Sequence, residues 1–370
     1  MRGRQLLCAG IGIARRLMSS ATLSKDYKVR SSKVWKTCAC NSDSTGRTPQ
    51  VLFCGHEFEA GFLKTVEALA GEPGVTVSRC PREELSTAVT GAHMLVPFMG
   101  RVDAALLEKA PQLRYILQFG VGLEGVDLSA ARAAGVRVAN IPSGGTGNAA
   151  SCAEMALFLA LSLFRDTKGM ASAFAQRKLG TPCGVMLAGR SALVIGAGSI
   201  SRELVPRLQA MGVRVSGLRR GPWPDGDAVF DTLAERGQTS DMHRMLGDVD
   251  LVFLACTLNE TSRHLADAAF LSAMRPGAML VNVARGGLVS YEAALEALRS
   301  GQLGGFGTDV CWSEPWDPED ELAQHPRALI TPHVAGVTDV SYRAMARIVA
   351  DEVRRHMREQ MPSPAVTVFA

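Results

Sequence analysis

From Val51 onward the apolar positions fall into a repeating order. Residues 51–54 form a short continuous apolar run, and 62–69 show helical spacing. Further short runs follow at 75–77, 94–96, 115–117 and 136–138, with helical segments between several of them. Runs of this length, alternating with helices, predict buried strands of a parallel sheet. A second series occupies 192–195, 213–218, 251–255, 279–283, 306–310 and 329–331. The pattern therefore predicts an α/β chain with two parallel-sheet domains and a cleft between them. A last helix over 339–357 places Tyr342, Met345, Ala346, Val349, Val353 and Met357 on one side. The longest strongly apolar run, near 155–164, is too short to span a bilayer and follows Glu154, so it reads as a buried helix.

Charge changes the picture only once it is located. The chain of 370 residues carries a formal +4. Residues 1–46 hold nine Lys or Arg and two acids, so the remainder is slightly acidic. That balance argues against a nucleic-acid surface. The first 46 residues show no coherent strand pattern. Leu6, Leu7, Ile11, Ile13 and Leu17, with Arg15 and Arg16, outline a short basic amphipathic helix. These are the physics of an import presequence, expected to be disordered. The Arg15-Arg16 pair before Leu17-Met18-Ser19-Ser20 favours the mitochondrion, with the chloroplast as the alternative. Cys38 and Cys40 form a C-x-C, but no second pair has zinc spacing, so no metal site is expected.

One motif sits between a predicted strand and a predicted helix: Gly196-Ala197-Gly198-Ser199-Ile200-Ser201. Glycines in such a turn let the backbone approach a pyrophosphate at the helix N-terminus. Gly196 makes the tight turn and Gly198 leaves room for phosphates. Ser201 replaces the third glycine, whose role is close helix–strand packing. The acid expected at the end of the next strand is absent, and Arg219 and Arg220 stand there instead. An Asp there repels a 2′-phosphate, whereas an Arg attracts it, so NADP(H) is favoured over NAD(H).

Three segments carry the candidate chemistry. They are Asn282-Val283-Ala284-Arg285-Gly286-Gly287, Asp309-Val310-Cys311-Trp312-Ser313-Glu314-Pro315 and Thr331-Pro332-His333-Val334-Ala335-Gly336. Each lies at the C-terminal end of a predicted parallel strand, the edge where open α/β sheets bind ligands. Together with Gln118-Phe119-Gly120-Val121-Gly122-Leu123-Glu124-Gly125-Val126-Asp127, Cys152-Ala153-Glu154 and Met274-Arg275-Pro276-Gly277-Ala278, they resemble the D-isomer-specific 2-hydroxyacid dehydrogenases. The likeness covers nearly everything from Val51 onward and is closest in wording to a plant and algal branch.

The resemblance implies two Rossmann-like or flavodoxin-like domains: a substrate domain over 47–148 plus 338–362 and a dinucleotide-binding domain over 149–337. It implies that Arg285 pairs with the substrate carboxylate and that His333 exchanges the proton with the carbonyl oxygen. Glu314 would hold the imidazole, a nearby carboxylate favouring imidazolium. Backbone N–H groups of Val121 and Gly122 would face the substrate. Ser199, Ile200, Thr257, Leu258, Val283, Ala284 and Gly336 would line the cofactor, and Asp309 would contact the nicotinamide carboxamide. The helix around 154–164 would make a homodimer contact.

Glu314 departs from formate dehydrogenases of this kind, where a Gln partners the histidine. No regulatory domain follows, so feedback control of the kind in long phosphoglycerate dehydrogenases is not implied. Phe98, Met99, Gly100 and Arg101 border the expected pocket. They leave glyoxylate, hydroxypyruvate, aryl pyruvates and phosphohydroxypyruvate open as substrates. The other reading is a dinucleotide-sensing co-regulator on the same fold, which turnover would separate from an enzyme.

Overall fold

The computed structural model describes residues 35–36 and 49–370. Their strands form two sheets. The first contains β1 (Trp35–Lys36), β2 (Gln50–Cys54), β3 (Thr76–Cys80), β4 (Met94–Val96), β5 (Tyr115–Gln118), β6 (Arg137–Asn140) and β14 (Thr367–Val368), in the order β1-β3-β2-β4-β5-β6-β14. The second contains β7 (Ser191–Ile195), β8 (Arg214–Leu218), β9 (Arg236–Gly237), β10 (Leu251–Leu254), β11 (Ala278–Asn282), β12 (Leu303–Thr308) and β13 (Ala328–Ile330), in the order β13-β12-β11-β10-β7-β8-β9.

Five strands of the first sheet, β3-β2-β4-β5-β6, are parallel and follow the flavodoxin-like order 2-1-3-4-5. The second sheet is parallel throughout. Its run β9-β8-β7-β10-β11-β12 is the 3-2-1-4-5-6 order of dinucleotide-binding sheets, with β13 added at the edge.

The strands are apolar on both faces because each sheet is covered twice. In β2, Val51 and Phe53 enter one core and Leu52 and Cys54 the opposite one. In β7, Leu193 and Ile195 face one core while Ala192 and Val194 face the other. Tyr342, Met345, Val349 and Val353 of the helix Asp339–Met357 join the core of the first sheet with Phe53. The helix Asn148–Arg165 instead contributes Ala153, Ala156, Leu159 and Ala160 to the second sheet's core.

The chain thus leaves the first sheet at Asn148 and rejoins it at Asp339. The two crossings lie side by side. Ser151 Oγ and Thr338 Oγ1 are 2.8 Å apart, and Asn148 Nδ2 donates to Ser341 Oγ at 3.4 Å.

Three short strands have no counterpart in the apolar pattern. β9 extends the second sheet, and β14 pairs antiparallel with β6 through Thr367 and Asn140. The first sheet therefore takes in chain beyond residue 362. Within the segment expected to be a disordered presequence, β1 pairs antiparallel with β3. The other residues of 1–46, with Cys38, Cys40 and the Arg15-Arg16 pair, lie outside the described residues. No described helix is long and apolar enough to cross a membrane.

Candidate active site

The glycine turn joins β7 to the helix Ser199–Ala210. Gly196 has φ +109°, and a Cβ there would lie 2.7 Å from the carbonyl oxygen of Ala255. The backbone just after β10 therefore packs too close for any side chain. Gly198 sits at the N-cap with open space in front of it. Ser199 and Ile200 follow in the first helical turn. Unfilled space before a helix N-terminus fits a pyrophosphate, which would meet unpaired N–H groups there. Ser201 is fully buried, and its hydroxyl donates to the Gly196 carbonyl at 2.7 Å. The substituted glycine is thereby absorbed by a bond that braces the turn.

Arg219 and Arg220 emerge at the end of β8, beside this turn, where the Gly196 amide donates to Leu218 O at 2.8 Å. The Arg219 guanidinium lies 5.7 Å from the Trp223 ring, and Arg220 donates to Thr261 Oγ1 at 2.8 Å. Neither makes an ion pair among the described residues, whereas Arg202 is held by both oxygens of Asp227. Thr257 and Leu258 follow β10; the Thr257 carbonyl accepts from Ser262 Oγ at 2.8 Å. Val283 and Ala284 follow β11 and are buried.

The catalytic candidates come together at the carboxyl edge of the second sheet. Asn282, fully buried at the end of β11, shapes the turn: its Nδ2 donates to Arg285 O at 2.8 Å and its Oδ1 accepts the Ala284 amide at 3.1 Å. Arg285 then reaches the first domain. Its Nε donates to Glu124 Oε1 at 2.9 Å and its Nη1 to Ala284 O at 2.7 Å. A Cβ on Gly122 would collide with Arg285 Nη2, so the guanidinium lies against the Val121–Gly122 backbone. The Val121 carbonyl is pinned by Asn140 Nδ2 at 2.6 Å.

His333 Nδ1 lies 2.8 Å from Glu314 Oε2, leaving Nε2 for the cleft. Glu314 Oε1 accepts the Cys311 amide at 3.0 Å. Burial pushes the Glu314 carboxyl upward, but the hydrogen bond and charge of His333, the Cys311 amide and Arg285 outweigh it. The carboxyl is held below its ordinary range. Glu314 is therefore the ionised partner that an imidazolium needs.

Asp309 and Gly336, both expected at the cofactor, are held by contacts within the chain. Asp309 is 1% exposed. Its Oδ1 accepts from Thr331 Oγ1 at 2.5 Å and from the Val334 amide at 3.0 Å, and its Oδ2 accepts the Ala335 amide at 2.7 Å. It stands behind the turn carrying His333, because those three donors flank the histidine on both sides. Gly336 packs against the Asn148 side chain at the crossing between domains.

Of three further side chains here, only Phe58 carries no signal in the sequence. Glu124 lies two residues past Gly122 in a segment that the pattern of likeness singles out. Phe58 stacks edge-on against His333 at 5.7 Å, and Phe98 lies 5.9 Å from Phe58. Only the folded chain reveals the Phe58 contact.

Residues 157–335 match the family model described as "D-isomer specific 2-hydroxyacid dehydrogenase, NAD binding domain". A relative from Chromohalobacter salexigens named (S)-sulfolactate dehydrogenase is 34% identical over 279 residues, covering 73% of this chain and 86% of that protein. A glyoxylate reductase of Pyrococcus furiosus is 29% identical over 294 residues, 77% of this chain and 85% of that protein. Among solved structures, the TT0316 protein from Thermus thermophilus superposes with a TM-score of 0.72 at 31% identity, covering 85% of this chain and 98% of that one.

Proposed function

The chain belongs to the D-isomer specific 2-hydroxyacid dehydrogenase family and is a nicotinamide-dependent oxidoreductase of 2-hydroxy and 2-oxo acids; on that premise we propose that Arg285, Glu314 and His333 carry its reaction, chiefly as a 2-oxo acid reductase. The observation that carries this reading is the His333–Glu314 pair at the same sheet edge as Arg285 and the glycine turn. The chemistry a bound nicotinamide dinucleotide supplies is hydride transfer to or from C2 of the acid. Gly196, Gly198, Ser199 and Ile200 would hold its pyrophosphate.

Arg285 binds the substrate carboxylate, since its planar fork suits a planar anion. The amides of Val121 and Gly122 face the same group across the cleft. His333 Nε2 donates the proton to the carbonyl oxygen in reduction and takes it back in oxidation. Glu314 keeps the ring oriented and offsets the imidazolium charge. Asp309 fixes the turn on which the ring stands.

Three finer readings go with this function. Arg219 and Arg220 favour NADP(H), because two cations without carboxylate partners stand where an adenosine 2′-phosphate would lie. A second copy of the chain docks on the helix Asn148–Arg165 and the segment after it. Phe158, Phe174, Leu179 and Met186 expose large apolar area there, Leu179 completely. The basic segment 1–46 directs import, to the mitochondrion before the chloroplast. A fluorescent fusion of that segment that stays in the cytosol would refute it.

The test of the function is oxidation of NADPH and NADH by the full-length chain with a range of 2-oxo acids, wild type beside His333→Ala. Turnover that the substitution removes supports the assignment. A chain that binds dinucleotide yet turns over no 2-oxo acid is a co-regulator instead.

A further inference from the structure

The first sheet reverses its strand order between β2 and β4, and in an open α/β sheet such a reversal opens a crevice at the carboxyl ends of the strands. Phe58 follows β2 and Phe98 follows β4, so the two rings flank that crevice. Phe58 reaches across to His333 at 5.7 Å with the planes at 87°. Phe98 continues the wall to Phe119, at 5.3 Å between ring centroids.

Both residues hold a left-handed backbone, with φ of 56° at Phe58 and 47° at Phe98. Bulky residues seldom adopt that conformation, and strain of this kind persists where the surroundings over-determine it. The Phe58 carbonyl accepts the Gly61 amide at 2.8 Å, and Gln118 Nε2 donates to the Phe98 carbonyl at 2.8 Å. The fold thus enforces an unfavourable backbone that sets the Phe58 ring beside the proton donor, with the buried Phe98 ring packed behind it.

Four arginines near this wall face a carboxylate. Arg285 faces Glu124 at 2.9 Å, so one carboxylate of the protein stands beside the guanidinium that receives the substrate. Arg79 pairs with Glu59 at 2.8 Å and Arg82 with Glu57 at 3.3 Å. Arg101 is 85% exposed and approaches Asp103 at 3.4 Å. Arg82 and Arg101, with Lys109, line a separate cavity of about 460 Å³ beside Cys54. Cys54 belongs to the core on the far face of β2 from Phe53 and Phe98.

We propose that the substrate is a monoanionic 2-oxo acid with an uncharged, branched or aromatic side chain that packs on Phe58, whose ring Phe98 backs. This rests on the dehydrogenase reading above and narrows it. A phosphate or sulfonate on the side chain would meet aromatic carbon and the Glu124 charge, and burying an unpaired anion is strongly unfavourable. The (S)-sulfolactate dehydrogenase relative is named for a substrate with a second anionic group, so by this proposal the chain departs from it at the side-chain end of the pocket.

The test uses the full-length chain with NADPH and NADH. Phenylpyruvate and 4-methyl-2-oxopentanoate are compared with glyoxylate, 3-sulfopyruvate and 3-phosphohydroxypyruvate. The apolar acids are expected to exceed each of the other three by about tenfold or more in kcat/KM, the scale of discrimination that apolar contacts supply. In Phe58→Ala the ratio of kcat/KM for phenylpyruvate over glyoxylate should fall by about tenfold, chiefly through KM. Glu124→Gln should narrow the gap between phenylpyruvate and the two acids that carry a sulfonate or phosphate. Melting of the full chain with cofactor supplies a readout apart from turnover: D-3-phenyllactate should raise Tm more than D-3-phosphoglycerate.

A wild type that prefers glyoxylate, 3-sulfopyruvate or 3-phosphohydroxypyruvate overturns the proposal while leaving the dehydrogenase intact. No turnover of any 2-oxo acid with either cofactor overturns both. If Phe58→Ala does not fold, the wild-type panel and the melting comparison decide alone.

Discussion

The Asp309 carboxylate accepts the amide hydrogen of Ala335 at 2.7 Å, two residues past His333, and so fixes the turn on which the imidazole stands. Val334 and Thr331 donate to its other oxygen. Burial pushes this carboxyl above its ordinary range, partly offset by those donors and by the nearby His333. Asp309→Asn keeps one acceptor and places an NH₂ opposite a donor. Its kcat should fall on the order of 10²-fold, the cost of misplacing a reacting group by about an ångström. The orphaned buried donor should also lower stability by about 1–3 kcal/mol. Steady-state kinetics and thermal melts check both; an unchanged kcat would separate Asp309 from the positioning of His333.

His333→Ala should lower kcat by about 10² to 10³, the typical cost of removing a preorganised donor at developing charge. Arg285→Ala should lose a similar factor and raise KM as well, because it removes the carboxylate's partner. Circular dichroism should show both variants folded. Near-normal turnover in His333→Ala would sink the proton-transfer assignment.

The wild type should favour NADPH over NADH in kcat/KM. One charge-assisted bond from Arg219 to the 2′-phosphate is worth about 1.5–3 kcal/mol, enough for a tenfold preference or more. Arg219→Asp should reverse the ratio. A preference for NADH in the wild type, or a ratio unmoved by the substitution, would refute this role.

His356 should make the protein acid-sensitive. Burial, and then His93, Arg137 and Arg114, depress its imidazole from 6.5 to about 4. The folded chain therefore favours the neutral ring. The associated stability is present above the unfolded value of 6.5 and is lost as pH falls toward 4. Tm of the wild type should decline across that window, and His356→Leu should flatten the decline. Parallel curves for the two proteins would show that His356 does not drive it.

Much of this architecture was legible because both sheets bury both faces. The run at 94–96 is β4 without adjustment, and 51–54 misses β2 only by Gln50. The motif residues Arg285, Glu314 and His333 likewise meet at one edge. Two-residue strands such as β9 and β14 escape because they are too short to carry a period. Phe58 escapes for another reason. An aromatic side chain after a strand ordinarily signals core, and only the long-range contact with His333 gives Phe58 a different meaning. The Asp309 side chain lies at a motif position, but which face of the turn it braces depends on backbone amides that no residue type reveals.

The hydroxyls of Ser151 and Thr338 meet at 2.8 Å, tying together the two passages of chain between the sheets. Ser151 Oγ also donates to the Gly147 carbonyl at 2.8 Å, and Thr338 Oγ1 accepts the Ser341 amide at 3.3 Å, so the link is anchored in the first turn of each helix. Replacing either hydroxyl therefore removes a contact shared by two helix starts, not one.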